Sequence, residues 1–215
     1  MDLTMPPVAQ LRSFLPEEER AALLDWALRS EDRFNEATIR SADASVINYD
    51  WRVALVCREL GPLEPVLRER FLTALPMLMA ETGATGPEPR SLELEIAAYG
   101  DGAHYRAHTD LPIGPRRKRR SPGLDRVLST VLYFHAEPKG FSGGQLRLFR
   151  LGVEESGEIN SRDTYFEIEP LQNSLVVFHP WVRHEVRPVR CPSGLFRDYR
   201  FSVNCWFRRS LPSTS

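Results

Sequence analysis

The stretch Tyr199–Arg208, YRFSVNCWFR, alternates polar and apolar residues, which is the pattern of a β-strand. Side chains two apart on a strand share a face, and the polar face here holds Arg200, Ser202, Asn204, Trp206 and Arg208. Phe201 and Val203 point the other way. Polar side chains on a face expected to be buried need a partner, because burying them unpaired costs free energy. An arginine on such a face can bind a carboxylate through two parallel hydrogen bonds, and Arg200 is the candidate.

Five further segments of the chain have strand character. These predicted strands, separated by turn residues, are SLELEIAAY (91–99), RVLSTVLYFH (126–135), GQLRLF (144–149), SLVVF (174–178) and VRHEVRPV (182–189). The N-terminal third is predicted to be mainly helical, with one helix in LPEEERAALLDWALRSE (15–31) and another from Gly61 or Pro62 to Thr82. This order predicts a mainly β protein with N-terminal helices. A helical segment (1–90) would pack on a β-sandwich or barrel core (91–209) in one domain.

Composition limits the partners and the compartment of the chain. Its 215 residues carry a net charge of −1, so no overall field attracts nucleic acid or an anionic membrane. The N-terminus lacks a signal-peptide core, and no apolar run approaches the ~20 residues of a membrane span. Cys57, Cys191 and Cys205 are odd in number and form no CxxC pair. A reduced, cytoplasmic protein without disulfides is therefore expected.

The segment YGDGAHYRAHTDLP (99–112) contains His108 and Asp110, which would share one face of a strand. HxD alone is a weak signal, and a third ligand must come from elsewhere. His184 lies 76 residues further along, in a predicted strand that could pair with the first. Two histidines and one carboxylate on one face of a metal form the facial triad of non-haem iron(II) oxygenases. The competing histidines are His104, His135 and His179.

Two further residues, Glu185 and Tyr133, bear on these candidates. Glu185 follows His184 directly, so alternation turns it away from a metal at that histidine. Tyr133 could donate a second hydrogen bond to the carboxylate that Arg200 binds, with an ordinary core tyrosine as the alternative. The open positions of a facial triad matter because the metal must hold a co-substrate and O2 together.

The combined motifs extend over residues 92–207 in a fixed order. They are YGDGAHYRAHTD, STVLYFH, SGGQLRLF, IEPLQNSLVVF, RHEVRPV and RFSVNCWF. In this combination the chain resembles the prolyl 4-hydroxylase-like branch of the 2-oxoglutarate and iron(II)-dependent dioxygenases. It looks closest to the hypoxia-sensing prolyl hydroxylases and their bacterial relatives. The resemblance implies a double-stranded β-helix (jelly roll) and the use of iron(II), 2-oxoglutarate and O2, with ascorbate as a candidate reductant.

The resemblance also implies a role for each matching residue. The implied iron ligands are His108, Asp110 and His184. The implied contacts of the far carboxylate of 2-oxoglutarate are Arg200 and Tyr133. Tyr99 and Tyr105 match residues that line the same pocket, and Arg126 and Trp206 match positions at the substrate-facing rim.

Two segments depart from the family pattern. CPSGLFRDY (191–199) lengthens the gap before the arginine, so Arg190 or Arg197 could serve instead of Arg200. Arg200 is preferred because FSVNCWF keeps the motif in register after it. The basic segment 113–123 is interpreted as a solvated loop, with a lip that contacts an acidic substrate or partner as the alternative.

The expected function is hydroxylation of a C–H bond, with release of succinate and CO2. The expected substrate is a prolyl residue in a protein or peptide. A free amino acid or small metabolite remains an alternative substrate, and a non-catalytic metal-binding jelly roll an alternative class. A nucleic-acid binder or demethylase that uses RRKRR is disfavoured by the net charge.

Overall fold

The structure, a computed structural model, describes residues 3–40, 45–86, 88–89, 91–111, 124–153 and 159–210. Its two α-helices are α1 (Glu17–Arg29) and α2 (Leu63–Thr82). The strands of the N-terminal third are β1 (Leu3–Thr4), β2 (Val8–Leu11), β3 (Asn35–Glu36), β4 (Ile39–Arg40), β5 (Ser45–Val46), β6 (Arg52–Val53) and β7 (Leu55–Cys57). The strands that follow are β8 (Ser91–Tyr99), β9 (His104–His108), β10 (Leu124–Phe134), β11 (Ser142–Gly143), β12 (Leu146–Val153), β13 (Ile159–Ile168), β14 (Leu175–Phe178), β15 (His184–Val186), β16 (Val189–Arg190) and β17 (Arg200–Ser210).

Two antiparallel sheets form the body of the molecule. The major sheet has the strand order β2-β14-β10-β17-β8-β7-β3, and the minor sheet has the order β1-β12-β15-β9-β6, with β13 also paired to β12. Most neighbours in the two sheets, such as β10 and β17 or β9 and β15, are distant in sequence, as in a jelly roll. The predicted mainly β, jelly-roll architecture is confirmed.

Strand alternation gives the major sheet two different faces. The alternate residues Phe201, Val203, Cys205 and Phe207 of β17 are fully buried in the main hydrophobic core. The intervening residues of β17 stand opposite Tyr133 and Ser129 of β10, and opposite Tyr99 and Glu95 of β8. Residues directly opposite each other in an antiparallel pair share a face. The second face of the sheet is therefore the one that carries the polar positions predicted from YRFSVNCWFR.

Helix α2 covers the apolar face of the major sheet. A helical stripe of Leu67, Phe71, Leu75 and Leu78 is buried, and the Phe71 ring lies 6.3 Å from Phe207 and 5.2 Å from Phe14 between ring centroids. Gly83 ends the helix in the left-handed conformation (φ 65°), the usual helix C-terminal role of glycine. Helix α1 begins with three glutamates, where the helix dipole favours negative charge.

The N-terminal third contains the two predicted helices, and it also contributes strands that were not predicted. Besides the two helices, it contains short strands that join both sheets: β2 pairs with β14, β7 with β8, β6 with β9, and β1 with β12. These strands are two to four residues long, too short for alternation to show in the sequence. The division at residue 90 remains a prediction.

Two features concern the expected surroundings of the chain. In the part of the chain that the structure describes, neither helix is both long and apolar enough to pass through a bilayer. Cys57, Cys191 and Cys205 are free and buried, and burial raises the pKa of the Cys57 and Cys205 thiols. The cysteines therefore belong to the packed interior, and the cytoplasmic location remains a prediction.

Candidate metal and anion site

Two histidines face each other across a strand pair of the minor sheet. His108 at the end of β9 is the direct partner of His184 at the start of β15, and their ring centroids are 4.2 Å apart. Asp110 follows β9, with its Oδ1 3.8 Å from His108 Nε2 and its Oδ2 3.8 Å from His184 Nε2. The potential ligand atoms of the three residues lie within 4.8 Å of one another. The arrangement can hold one metal ion.

Backbone carbonyls fix the tautomer of both imidazoles. His108 Nδ1 lies 2.7 Å from the carbonyl oxygen of Arg106, and His184 Nδ1 lies 2.9 Å from that of Val182. A carbonyl oxygen only accepts, so each Nδ1 is assigned as the donor and each Nε2 keeps its lone pair. Burial and the neighbouring His184 lower the pKa of His108 to about 3. His108 is therefore neutral at physiological pH, the form that binds a metal.

The carboxylate of Asp110 is oriented by two donors from the major sheet. Ser129 Oγ donates to Asp110 Oδ2 at 2.7 Å, and Trp206 Nε1 donates to the same oxygen at 2.9 Å. The Asp110 amide donates to the carbonyl oxygen of Pro180 at 2.8 Å, which ties it to the loop before His184. Burial raises the pKa of this carboxyl, but electrostatic interactions with His184, His108 and Arg126, together with the Ser129 hydrogen bond, outweigh burial and lower the pKa to about 2. With Oδ2 occupied by donors, Oδ1 is the oxygen available to a cation.

A buried arginine forms a second polar site on the major sheet. Arg200 is 1% exposed, and its Nε donates to the carbonyl oxygen of Gly144 at 2.8 Å. Its guanidinium carbon lies 4.9 Å from the ring centroid of Tyr99 and 4.8 Å from that of Tyr133. Within the described residues, Arg200 Nη1, Arg200 Nη2 and Tyr133 Oη are buried without a hydrogen-bond partner.

These three unpartnered donors fit an anionic ligand. Burial raises the pKa of Tyr133 to about 12, so its hydroxyl is protonated at neutral pH and can donate. Buried polar groups in native proteins are nearly always paired, which makes a cluster of unpaired donors a sign of a missing acceptor. A carboxylate matches the planar fork of a guanidinium. The donor set therefore suits the carboxylate of a co-substrate such as 2-oxoglutarate.

The alternative arginines lie elsewhere. Arg190 at the end of β16 is exposed, and Arg197 is exposed on a 3-10 turn at Phe196–Asp198. The segment 191–199, which lengthens the gap before Arg200, packs against the core. Its Phe196 is buried, with the ring centroid 5.2 Å from that of Phe34 and 5.1 Å from that of Phe201. Of the three candidate arginines, Arg200 is therefore the buried one, whereas Arg190 and Arg197 are exposed.

Apolar side chains connect the two polar sites. Tyr133 belongs to a buried cluster with Leu146, Leu148, Val176, Phe178 and Val182. The Phe178 ring lies 4.7 Å from that of His184, in an edge-on contact. One buried apolar cluster thus contacts both sites, and electrostatic interactions in such surroundings are stronger than in water.

Four residues remain from the sequence analysis, and one of them lies at the anion site while the others lie at the triad. They are Tyr99, Tyr105, Arg126 and Trp206. Tyr99 lies against Arg200, whereas Tyr105 stacks on His108 with ring centroids 3.6 Å apart. Arg126 and Trp206 lie beside Asp110: Arg126 Nη1 donates to the Asp110 carbonyl oxygen at 3.1 Å, and the guanidinium covers the Trp206 ring at 4.2 Å. Arg126 and Trp206 therefore both donate a hydrogen bond to Asp110, and their place at a substrate rim remains a prediction.

The competing histidines and Glu185 are engaged elsewhere. His104 and His135 contact nearby backbone carbonyl oxygens, and His179 Nε2 lies 3.0 Å from the carbonyl oxygen of Thr82. Glu185 pairs with Arg147 at 2.8 Å, on the face of β15 away from His184. Among the described residues, His108, Asp110 and His184 are the one set of three that could hold a metal ion. The basic segment 113–123 lies outside the described residues.

Sequence reasoning missed several residues that shape the site. Ser129 lies two and four residues from Val131 and Tyr133 on one face of β10, so alternation from Tyr133 could have identified it. Gly144 carries no local signal for its contact with Arg200. Arg52 and Glu95 form a buried ion pair beside Tyr105, and no sequence spacing connects them.

A family model supports what the geometry suggests. Residues 94–208 match the model of the 2OG-Fe(II) oxygenase superfamily. The match spans strands β8 to β17, so it includes both polar sites. It covers more than half of the chain.

Individual relatives extend the comparison to nearly the whole chain. An uncharacterized PKHD-type hydroxylase from Synechocystis sp. is 31% identical over 203 residues, which are 94% of this chain and 63% of that protein. The chain thus spans less than two thirds of that relative. A prolyl-4-hydroxylase from Pseudomonas putida is 26% identical, with a TM-score of 0.60, 95% of this chain covered and 94% of the other. A prolyl hydroxylase from Trichoplax adhaerens, solved with a hypoxia-inducible-factor peptide, has a TM-score of 0.65 at 18% identity, with coverages of 94% and 84%, which shows a common fold.

Proposed function

Because the chain belongs to the 2OG-Fe(II) oxygenase superfamily, we propose that it is an iron(II)- and 2-oxoglutarate-dependent dioxygenase that hydroxylates a prolyl residue in a protein or peptide. The observation that carries the proposal is the placement of two half-sites on one interior. One is the His108, Asp110 and His184 triad, and the other is the buried Arg200 and Tyr133 pair with unpartnered donors. An iron-bound keto acid needs both.

Each half-site has a defined task in this proposal. His108, Asp110 and His184 would hold iron(II), with two Nε2 atoms and one carboxylate oxygen as the ligand atoms. Arg200 and Tyr133 bind the far carboxylate of 2-oxoglutarate and fix its orientation. Iron(II) with 2-oxoglutarate supplies the oxidising chemistry that places one oxygen atom of O2 in the substrate and the other in succinate, with loss of CO2.

The surrounding residues keep the reacting centre in place and dry. Ser129 and Trp206 hold Asp110 Oδ2, so the carboxylate presents Oδ1 without having to reorient. Leu146, Leu148 and Val176 form a buried apolar cluster with Tyr133 and Phe178, and Phe178 contacts His184, so the proposed reacting centre has apolar neighbours. The protein thus contributes orientation and shielding.

The prolyl substrate has separate support. The Pseudomonas putida relative, similar over nearly all of both chains, is a prolyl-4-hydroxylase. The motif order of the sequence resembles the same branch. A peptide rather than free proline is the expected form of the substrate, and the two are separable by experiment.

An anaerobic titration tests the enzyme class. Iron(II) and then 2-oxoglutarate are added to the purified protein, and the visible charge-transfer band of an iron-chelated keto acid is recorded. We expect a band that disappears in Asp110→Ala and saturates only at higher 2-oxoglutarate in Arg200→Ala. Folded wild-type protein that binds iron(II) without giving the band would contradict the proposed co-substrate site.

A product assay tests the substrate. Proline-containing peptides and free proline are incubated aerobically with the complete system, and mass spectrometry looks for a gain of one oxygen together with stoichiometric succinate. Hydroxylation of a peptide at proline is the expected result. Hydroxylation of free proline alone, or of another side chain, would move the assignment to that substrate.

A further inference from the structure

We propose that Arg52 and Glu95 are positioning residues of the metal site, acting on His108 through the ring of Tyr105. The inference rests on the proposed function in one respect, since it takes His108 to be a metal ligand. Neither Arg52 nor Glu95 belongs to the triad or to the anion site, and the mechanism above leaves both unused. Both are nevertheless buried in the interior that those sites share.

A stack of three side chains leads from Arg52 to His108. Arg52 in β6 is the direct cross-strand partner of Tyr105 in β9, and its guanidinium carbon lies 4.7 Å from the Tyr105 ring centroid. The same ring stacks on His108, with centroids 3.6 Å apart and ring planes 20° apart. A guanidinium over an aromatic face is attracted by the ring quadrupole, and more strongly where water is excluded. The Tyr105 ring therefore contacts both the Arg52 cation and the His108 imidazole.

Glu95 anchors the far end of this stack to the other sheet. Arg52 Nη2 donates to Glu95 Oε1 at 2.8 Å, and the two side chains are 7% and 3% exposed. Arg52 belongs to the minor sheet and Glu95, in β8, to the major sheet, so the ion pair crosses the interior between them. Arg58 Nη2 lies 2.6 Å from the other Glu95 oxygen and fixes the carboxylate from the outside.

The energetics favour a geometric role for the pair. Buried ion pairs often add no more stability than well-packed apolar side chains in the same volume, because desolvation offsets the attraction. What the pair supplies is a planar, directional contact at a fixed distance between the sheets. The Tyr105 ring sets the plane of the His108 imidazole, whose Nδ1 is already fixed by the Arg106 carbonyl. The direction of the His108 Nε2 lone pair depends on this support.

The test measures metal binding rather than turnover. Co(II) is titrated into the metal-free protein under anaerobic conditions, and its dissociation constant and visible ligand-field spectrum are compared between wild type and Arg52→Met. We expect the variant to bind Co(II) about tenfold more weakly, the lower end of the effect seen when an outer-shell partner is removed. Its spectrum should also change, because the donor direction at His108 is altered.

A matched control exists on the outside of the minor sheet. Arg147 makes the same kinds of contact, with its guanidinium carbon 3.6 Å from the Tyr165 ring centroid and Nη2 2.8 Å from Glu167 Oε1, and it also pairs with Glu185 on the outer face of β15. Arg147→Met should leave the Co(II) dissociation constant and spectrum as in wild type. Thermal unfolding of both variants separates a general loss of stability from a local effect on the metal.

A double-mutant cycle tests the route through the ring. Tyr105→Leu removes the stacking surface, so Arg52→Met in that background should weaken Co(II) binding little further. Additive losses would show that Arg52 acts independently of Tyr105 and would overturn the proposal. If Arg52→Met does not fold, Glu95→Gln takes its place in the cycle, because it keeps the shape of the side chain and weakens only the anchor.

The outcomes distinguish this inference from the proposed function. Wild-type protein that binds no Co(II) would overturn the metal site and this inference together. Wild-type binding with unchanged affinity and spectrum in Arg52→Met, or in Glu95→Gln where that variant replaces it, would overturn the inference alone. Weaker binding in Arg52→Met, normal binding in Arg147→Met and non-additivity with Tyr105→Leu would establish the positioning role.

Discussion

Gly144 and Arg200 are in direct contact, and the contact leaves no room for a side chain at the glycine. Arg200 Nε donates to the Gly144 carbonyl oxygen at 2.8 Å, and a Cβ on Gly144 would lie 2.7 Å from Arg200 Cδ. Gly144 also has a φ of +70°, which L side chains rarely adopt. One residue of the SGG motif thus orients the guanidinium so that Nη1 and Nη2 remain available to an anion.

The first prediction concerns Gly144→Ala. The methyl group would displace Arg200, so we expect 2-oxoglutarate to bind about tenfold or more weakly, as for the loss of one charge-assisted hydrogen bond. Titration of the anaerobic charge-transfer band measures this. Gly194→Ala is the control, because Gly194 has a similar φ of +64° but open space around its Cβ position. Equal effects of the two substitutions would mean that backbone strain, and not the contact, is responsible.

The second prediction separates the three candidate arginines. Arg200→Leu removes two buried donors, and we expect 2-oxoglutarate affinity to fall by about a hundredfold or more, since hydrogen bonds to charged groups contribute ~1.5–3 kcal/mol each. Arg190→Leu and Arg197→Leu change exposed side chains and should leave the affinity within about twofold. Isothermal titration with metal-substituted protein reports all three. A large loss in Arg197→Leu with none in Arg200→Leu would reverse the assignment.

The third prediction concerns the support of Asp110. Ser129→Ala deletes a 2.7 Å hydrogen bond to Oδ2, and we expect metal affinity to fall about tenfold, as is typical for a partner of a metal ligand. Thr130→Val is the control on the opposite face of the same strand, where the hydroxyl donates to the Cys205 carbonyl oxygen at 3.2 Å. That variant should lose stability without losing metal affinity. Loss of metal affinity in Thr130→Val, with none in Ser129→Ala, would contradict the assignment of Ser129 to the face of β10 that supports Asp110.

The fourth prediction concerns the helix that covers the major sheet. Phe71 is fully buried between α2 and the sheet, and Phe71→Ala should lower the free energy of unfolding by about 3–5 kcal/mol through the cavity it leaves. The adjacent Leu72 is 45% exposed, so Leu72→Ala should change it by less than about 0.5 kcal/mol. Denaturant unfolding followed by circular dichroism measures both. Similar losses in the two variants would contradict the packing of α2 described above.

Alternation in the sequence located most of the major sheet. SLELEIAAY coincides with β8, and YRFSVNCWFR falls within one residue of the start of β17. Alternation could not reveal whether a polar face of a strand is exposed to solvent or lines the interior of the protein. Glu95 occupies a polar position of a regularly alternating strand, a pattern usual for a solvent-facing edge, yet it is 2% exposed because that face lines the interior.

Other features of the structure could not be predicted from local sequence patterns. Arg126 and Ser129 are three residues apart, which would put them on opposite faces, but a β-bulge between Arg126 and Leu128 brings both toward Asp110. Strand β13 begins INSRD and was not predicted, because its polar first half is held by pairing with β12 rather than by burial of an apolar face. The set of His108, Asp110 and His184 was predictable because several motifs in a fixed order pointed to it, whereas HxD alone is a weak signal. The Arg52–Glu95 pair required the two sheets to be brought together first.

The two-faced character of the major sheet has a consequence for interpreting natural variation in this protein. Between positions 200 and 208 of β17, even numbers face the interior that holds the candidate site, and odd numbers face the apolar core. In β8 the parity is reversed, with Glu95 and Tyr99 inward and Leu94 and Ile96 in the core. A variant at an even position of β17 should therefore yield a protein of ordinary abundance with altered catalysis. A variant at an odd position should lower the amount of folded protein, while the folded molecules keep normal catalysis. Whether the position number is even or odd therefore distinguishes the two kinds of defect.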